Sequence, residues 1–182
     1  MACRPSSTGA PDVAVRSAAL TLRPAQPADE NLLRQMFAQS RPDLALLPPQ
    51  LRDGLFEMQF RARQQHYAVS YPHARQVIIV AGGADVGQLV IDDAGVGDEA
   101  GEVRVVDLTV DAARRGRGIG SHVLRAVIAN AAGRAVRLSV WSGNTDARRL
   151  YARLGFRASP DGEADPTGYL QLRHDAAKQE EN

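Results

Sequence analysis

Three glycines at alternating positions among arginines carry the first chemical signal in this chain: Arg114-Arg115-Gly116-Arg117-Gly118-Ile119-Gly120-Ser121, where a strand should hand over to a helix. A helix start presents amide N–H groups without partners and the positive end of the helix dipole, and glycines remove the Cβ atoms that would hold an anion away. Such a turn suits a pyrophosphate. Arg115 and Arg117 add cations that can reach phosphate oxygens, Arg114 lies beside them, and Ser121 can donate a hydroxyl from the first turn. A P-loop would continue Gly-Lys-Ser/Thr, and a dinucleotide fingerprint would place G-x-G-x-x-G near the first strand with an acid about 20 residues on. Neither pattern is present, because the run is Gly116-x-Gly118-x-Gly120 in the second half of the chain. Taken alone, the glycines are also compatible with a plain turn that holds no ligand.

The elements that must position this turn follow from hydrophobic period. Leu20 and Leu22 alternate with Thr21 and Arg23 in a first strand, closed by the turn from Pro24 to Pro27. Asp29 can cap a helix whose apolar face is Leu32, Leu33, Met36 and Phe37, ending near Ser40 before Pro42. After Pro48-Pro49, a second amphipathic helix carries Leu51, Leu55 and Met58 and is stopped by Pro72. Two apolar runs, 76–81 and 86–91, face each other across Gly82-Gly83 as a hairpin. A glycine-rich acidic loop then leads to a strand over 103–110, which feeds the glycine turn. An Ala-rich helix to about Ala132, a strand over 135–141, a helix over 145–154 and short strands near Phe156 and at 169–172 complete the order. No repeat or linker divides the chain. One domain over 18–174 is expected, between a flexible tail at 1–17 and a frayed end at 175–182.

A second constellation follows Gly120 by 24 residues: Asn144-x-x-Ala147-x-x-x-Tyr151-x-x-Leu154-Gly155-Phe156. Together with Leu108-Thr109-Val110 and the R-x-x-G-x-G turn starting at Arg115, it resembles the GCN5-related N-acetyltransferase (GNAT) family, which binds acetyl-CoA. The likeness runs over roughly 20–172 in element order and is specific from about Val103 to Arg157. It implies an α/β fold: a mixed, twisted sheet with helices on both faces, whose two central parallel strands, here 103–110 and 135–141, splay apart to admit the pantetheine arm. It further implies that the main chain of Leu108, Thr109 and Val110 bonds that arm, that Arg115, Gly116, Arg117, Gly118, Ile119, Gly120 and Ser121 hold the pyrophosphate, and that Asn144 contacts the cofactor. Tyr151 matches the family's general acid for the departing thiolate, with packing against the sheet as the competing role. The positions where relatives carry a catalytic glutamate are Arg104 and Ser139 here, and neither is a carboxylate. Asp107 is the nearby candidate, although an ideal strand would turn it to the face opposite Arg104 unless a bulge intervenes. Water, or an acid from another element, is the other source of a base.

The resemblance thus implies acetyl transfer to a primary amine of a small molecule or peptide, with no metal. A CoA-binding module of the same fold without turnover is the alternative. Relatives place the segment from Gln39 to Tyr71 over the acceptor side, where Arg41, Asp43, His66, Tyr67 and Tyr71, with His73 just beyond, either line a pocket or form a solvated helix end with ordinary packing; Trp141, at the end of its strand, is a candidate for the acceptor side or for a core or rim role. The bulk composition narrows the rest. A chain of 182 residues with 44% hydrophobic and 24% charged residues and a net charge of +1 is that of a globular protein, not of a disordered or strongly basic one. Three nearby arginines without a basic stripe or interleaved aromatics do not make a nucleic-acid site, all the more because Lys178 is the sole lysine and arginine is common throughout. The central apolar run, Val77 to Ala81, is far short of a membrane span, so no membrane partner is expected. Cys3 is the only cysteine, which excludes an internal disulfide and a cysteine-built metal site and fits a reducing cytoplasm. A homodimer is compatible with all of this.

Overall fold

The computed structural model describes residues 20–93, 101–159 and 166–175. The expected tails, Cys3 included, lie outside these except for Asp175, as does most of the loop after Asp92. Seven strands form one mixed sheet in the order β1-β2-β3-β4-β5-β7-β6. β1 is Leu20–Pro24, β2 Arg75–Ala81, β3 Ala84–Asp92, β4 Glu102–Val110, β5 Ala135–Trp141, β6 Arg157–Ala158 and β7 Tyr169–His174. Between β1 and β2 lie α1 (Glu30–Ser40) and α2 (Pro49–Ser70); α3 (Ile119–Asn130) joins β4 to β5, and α4 (Thr145–Arg153) joins β5 to β6. Gly82 and Gly83, at φ 58° and 79°, make the left-handed two-residue turn that the β2–β3 hairpin needs.

Helices cover both faces. Val123, Leu124 and Val127 of α3 pack with Leu89, Val105, Val136 and Leu138 on one face, where Ala147, Leu150 and Leu154 of α4 join them. Leu33 and Phe37 of α1 and Phe60 of α2 pack on Ile78 on the other. Phe37 meets the rings of Phe56 and Phe60 edge-on, with centroids 5.3 and 5.6 Å away. Each fully buried Leu, Ile or Phe contributes about 2 kcal/mol of apolar transfer. Both layers therefore hold the sheet rigid where the site lies.

Two irregularities shape β4. Its parallel pairing with β5 runs only from Glu102↔Ala135 to Val105↔Leu138; beyond, the two strands have no register and part. On its other edge, Val90 pairs with Asp107 and Ile91 with Val105, so Val106 is an extra residue, a β-bulge. Paired residues share a face and neighbours alternate, so Arg104 and Asp107 come out on the same face, the one covered by α2. The ideal-strand expectation that separated them fails at this bulge. The short strand expected near Phe156 also begins one residue later, at Arg157. Gly155, at φ 88°, ends α4, and Phe156, 4% exposed, turns into the core while its N–H bonds the Tyr151 carbonyl at 3.0 Å.

Candidate functional site

The end of β4 opens into the gap left by the splay. The Asp111 N–H bonds the Val86 carbonyl of β3 at 2.8 Å, so by strand alternation the main-chain groups of Val110 and Leu108 turn toward β5, where no strand receives them. Thr109 turns toward β3 instead: a Cβ added to Gly87 would come within 2.5 Å of its carbonyl oxygen. Of the three residues expected to bond the pantetheine arm, two thus offer main-chain groups to the gap and the third uses its own to hold the sheet. The Leu108 side chain packs on the core.

After β4 the chain makes one turn of 3-10 helix, Ala112–Arg114, capped by the Asp111 carboxylate, which accepts from the Ala113 N–H at 3.3 Å. Gly116 and Gly118 then take φ of 76° and 80°, which a side chain resists; Gly118 is the N-cap of α3. The first helical bond is His122 N–H to the Gly118 carbonyl at 3.0 Å, so the amides of Ile119, Gly120 and Ser121 have no partner within the helix. A Cβ on Gly116 would meet nothing within 4 Å. The cradle is open, lined with N–H groups and backed by a helix dipole, which fits a pyrophosphate. Gly120 serves differently, since its added Cβ would lie 3.4 Å from Leu150: it lets α3 approach α4. Ile119 packs on the core. Arg115 folds back, its Nε donating to the Val110 carbonyl at 3.0 Å, whereas Arg117 is exposed at the mouth. Arg114 pairs with Asp111 at 2.6 Å.

Gln39 entered the sequence reading only as the start of the acceptor-side segment. From the last turn of α1 it accepts from the Ala112 N–H at 2.8 Å and donates to Asp111 at 3.2 Å, fastening the start of the glycine turn to a helix 73 residues away in sequence. No local pattern marks such a residue.

Asn144 is the N-cap of α4, its Oδ1 accepting from the Ala147 N–H at 3.1 Å. Tyr151 lies on the inner side of that helix, edge-on to Phe156 at 5.8 Å, and its hydroxyl bonds no described residue. Burial, with a smaller contribution from the charge of Asp107, raises the phenol to about 12, so it is protonated throughout the neutral range.

On the opposite face Asp107 is the centre of a side-chain cluster. Its Oδ2 accepts from Arg63 of α2 and from Gln88 of β3, the latter at 2.6 Å, and Thr109 Oγ1 lies 3.3 Å away. Gln76 in turn donates to Gln88 at 2.9 Å. Arg63 Nε donates to the Tyr67 hydroxyl at 2.6 Å, and burial together with the Asp107 charge holds that phenol well above the usual range. Tyr67 was an expected acceptor-side residue; Arg63 and Gln88 were not found, because their link to Asp107 exists only once α2 lies across β3 and β4.

The other residues singled out for the acceptor side, and the two positions without a carboxylate, make contacts of their own. Arg104 stacks on Tyr71 with its guanidinium 6.0 Å from the ring centre. Arg41 binds Asp43 through Nε and Nη2 at 3.0 and 2.7 Å and donates to Gln59. His66 is bonded to Ser70 at 3.1 Å on the outer side of α2. Ser139 donates to Gln171 at 2.7 Å, and Trp141 closes β5 with 56% of its surface exposed, its ring lying over Gly143 and Gly168. Among the described residues no group of His, Cys, Asp and Glu is arranged to hold a metal ion, and no helix is long and apolar enough to cross a membrane.

Comparison with known proteins agrees with this geometry. A sequence model of the Acetyltransferase (GNAT) family matches residues 34–156. An acetyltransferase from Thermus thermophilus superposes with a TM-score of 0.64 at 24% identity, over 86% of this chain and 97% of that one. The PaiA N-acetyltransferase of Thermoplasma acidophilum, solved in complex with coenzyme A, gives 0.61 at 13% identity over 86% and 99% of the two chains. Arabidopsis thaliana Naa50, solved with the bisubstrate analogue CoA-Ac-MVNAL, gives 0.53 at 18% identity over 87% and 99%. No curated protein matches the sequence.

Proposed function

Since the chain belongs to the GNAT acetyltransferase family, we propose that it transfers the acetyl group of acetyl-CoA to a primary amine of a small molecule or peptide, by direct attack with both substrates bound. The observation that carries this reading is the open edge of β4 leading into the glycine turn, where Leu108 and Val110 face no strand and the amides of Ile119, Gly120 and Ser121 have no partner within their helix. Acetyl-CoA supplies the acetyl group as an activated thioester. Leu108 and Val110 are the groups that would bond the pantetheine amides, with Thr109 holding the strand between them. Gly116 to Ser121 and the cation of Arg117 would receive the pyrophosphate, while Arg115 buttresses the Val110 carbonyl. Asn144 acts here through the helix it caps, which carries Tyr151.

Asp107 receives the proton of the incoming ammonium, leaving a neutral amine. The new N–C bond forms as the C–S bond breaks; Tyr151 gives its proton to the sulfur and regains one from the new amide nitrogen. The balance is one amide, one thiol and one proton released from Asp107. Two features support the pairing of these groups: the two roles fall to different faces of the opened strand, and the Asp107 charge is felt at the Tyr151 phenol. The single cysteine supports a reducing, cytoplasmic setting.

A non-catalytic CoA-binding module is the second reading. It is favoured by Arg104 and Ser139 standing where an acid would serve, and by the bonds Ser139 and Asp107 already make. Thiol release from acetyl-CoA, screened across amino acids, polyamines, aminoglycosides and peptide N-termini, separates the two. Turnover with one class that collapses in Tyr151→Phe supports the enzyme, and equal low release in both forms supports the module.

A further inference from the structure

The acceptor-side cluster contains more order than a carboxylate needs simply to be buried. The two oxygens of Asp107 are treated differently: Oδ2 takes Arg63 and Gln88 with Thr109 close by, whereas Oδ1 has only Thr109 at 3.4 Å. Two donors on one oxygen, with the Thr109 hydroxyl shared almost equally between both, fix the rotation of the carboxylate and leave the other oxygen as its available acceptor. Arg63 is fixed in turn. Its Nε is spent on Tyr67 at 2.6 Å, and its guanidinium carbon sits 5.4 Å from the Phe37 ring and 5.5 Å from that of Tyr67. Both charged side chains are largely covered, 22% and 18% exposed, so their attraction is little screened by solvent.

We infer that Arg63 is a positioning residue for acetyl transfer: as the cation in contact with Oδ2 it fixes the Asp107 carboxylate and turns Oδ1 toward the acceptor ammonium. The inference rests on the proposed role of Asp107 as proton acceptor and adds what makes that role possible. A carboxylate buried beneath a helix would otherwise be driven toward its neutral form, which cannot take a proton. The charged and titratable groups around Asp107 are Arg63 and Tyr67 from α2, Arg104 on the same face of β4, and Tyr151 from α4. Gln88 and Thr109 add neutral donors. Arg63 is thus the cation in direct contact, and its removal leaves the neutral donors to hold the charge alone.

Two measurements on the full chain with coenzyme A bound test this. The first is a pH titration of the carboxyl carbons by carbon-13 NMR, with Asp107 assigned by the signal missing in Asp107→Asn. The second is the pH profile of kcat/KM with the fastest acceptor from the amine panel. Arg63→Gln should move both the Asp107 titration and the acid limb upward by at least about one pH unit. Arg63→Lys, which restores the charge but cannot bind Tyr67 and Asp107 together, should bring them back to within about half a unit of wild type. A purely structural Arg63 would lower kcat equally at every pH with neither midpoint displaced, and that result overturns the inference. If Asp107→Asn abolishes the acid limb while Arg63→Gln leaves it in place, only the role of Arg63 fails. If Asp107→Asn keeps the limb, the proton acceptor is another group and the proposed mechanism fails with it. Should Arg63→Gln no longer bind coenzyme A, Arg63→Met, which keeps the side-chain stem over Phe37 without the charge, decides: an upward displacement of at least about one unit supports the inference, and none contradicts it.

Discussion

The two sides of the opened β4 strand are built from different materials. On the proposed donor side, main chain is what is on offer: Leu108 and Val110 along an edge that no strand pairs, then the amides at the start of α3, all within a single stretch of sequence. On the proposed acceptor side the groups are side chains drawn from α2, β3 and β4, with Arg63 and Asp107 separated by 44 residues. A ligand common to a family can be read by groups every sequence possesses, provided glycines keep the space open. An acceptor particular to one protein has to be read by side chains brought together by tertiary packing.

This contrast orders what substitutions should do. The largest effect belongs to the proposed general acid: Tyr151→Phe should lower kcat by about 1,000-fold, with coenzyme A affinity changed less than about threefold, because only the proposed proton donor is lost. Next is the main-chain cradle. Gly118→Val forces a β-branched residue to φ 80° and should weaken coenzyme A binding by about 100-fold in a calorimetric titration. A smaller loss, about 10-fold in the same titration, is expected for Gln39→Ala, which frees the Ala112 amide and loosens the turn without touching a ligand. Smallest is Asn144→Ala, whose effect should appear as about 1 kcal/mol of stability in thermal unfolding, the cost of a lost N-cap. A loss of coenzyme A affinity in Asn144→Ala as large as in Gly118→Val would erase the distinction between the two kinds of residue.

The pH dependence sharpens the same division. Tyr151 holds its proton more tightly in the folded chain, about 12 against an ordinary 10, so the stability this provides is complete below pH 10 and is lost as pH rises from 10 to 12. Phenolate absorbance of the native protein should therefore show Tyr151 still protonated at pH 10, and kcat should have no basic limb from this group below that pH. A tyrosine that titrates near 9 in the coenzyme A complex would contradict its buried setting.

How much of this was legible in the sequence follows the same line. Element order and the glycine turn were readable because period 2, period 3.6 and positive-φ glycines are local signals, and all of 108–121 lies in one window. The face of Asp107 was not, since it depends on whether Val106 is accommodated as a bulge against β3, a choice made by pairing rather than by the strand's own residues. The roles of Arg63, Gln88 and Gln39 were missed for the related reason that arginine and glutamine are ordinary on helices and strands until a distant partner is in place. Asn144 shows the reverse case: the position was singled out, and its side chain caps a helix.

The central claim is that the main chain beyond Val105 is the donor's binding surface. Hydrogen–deuterium exchange of the full chain with and without coenzyme A tests it amide by amide. New protection is expected at Leu108, Val110 and residues 116–121, with little change at Thr109, whose amide faces β3. Protection confined to α2 or to the outer strands, with the β4 edge and the glycine turn exchanging as before, would contradict it.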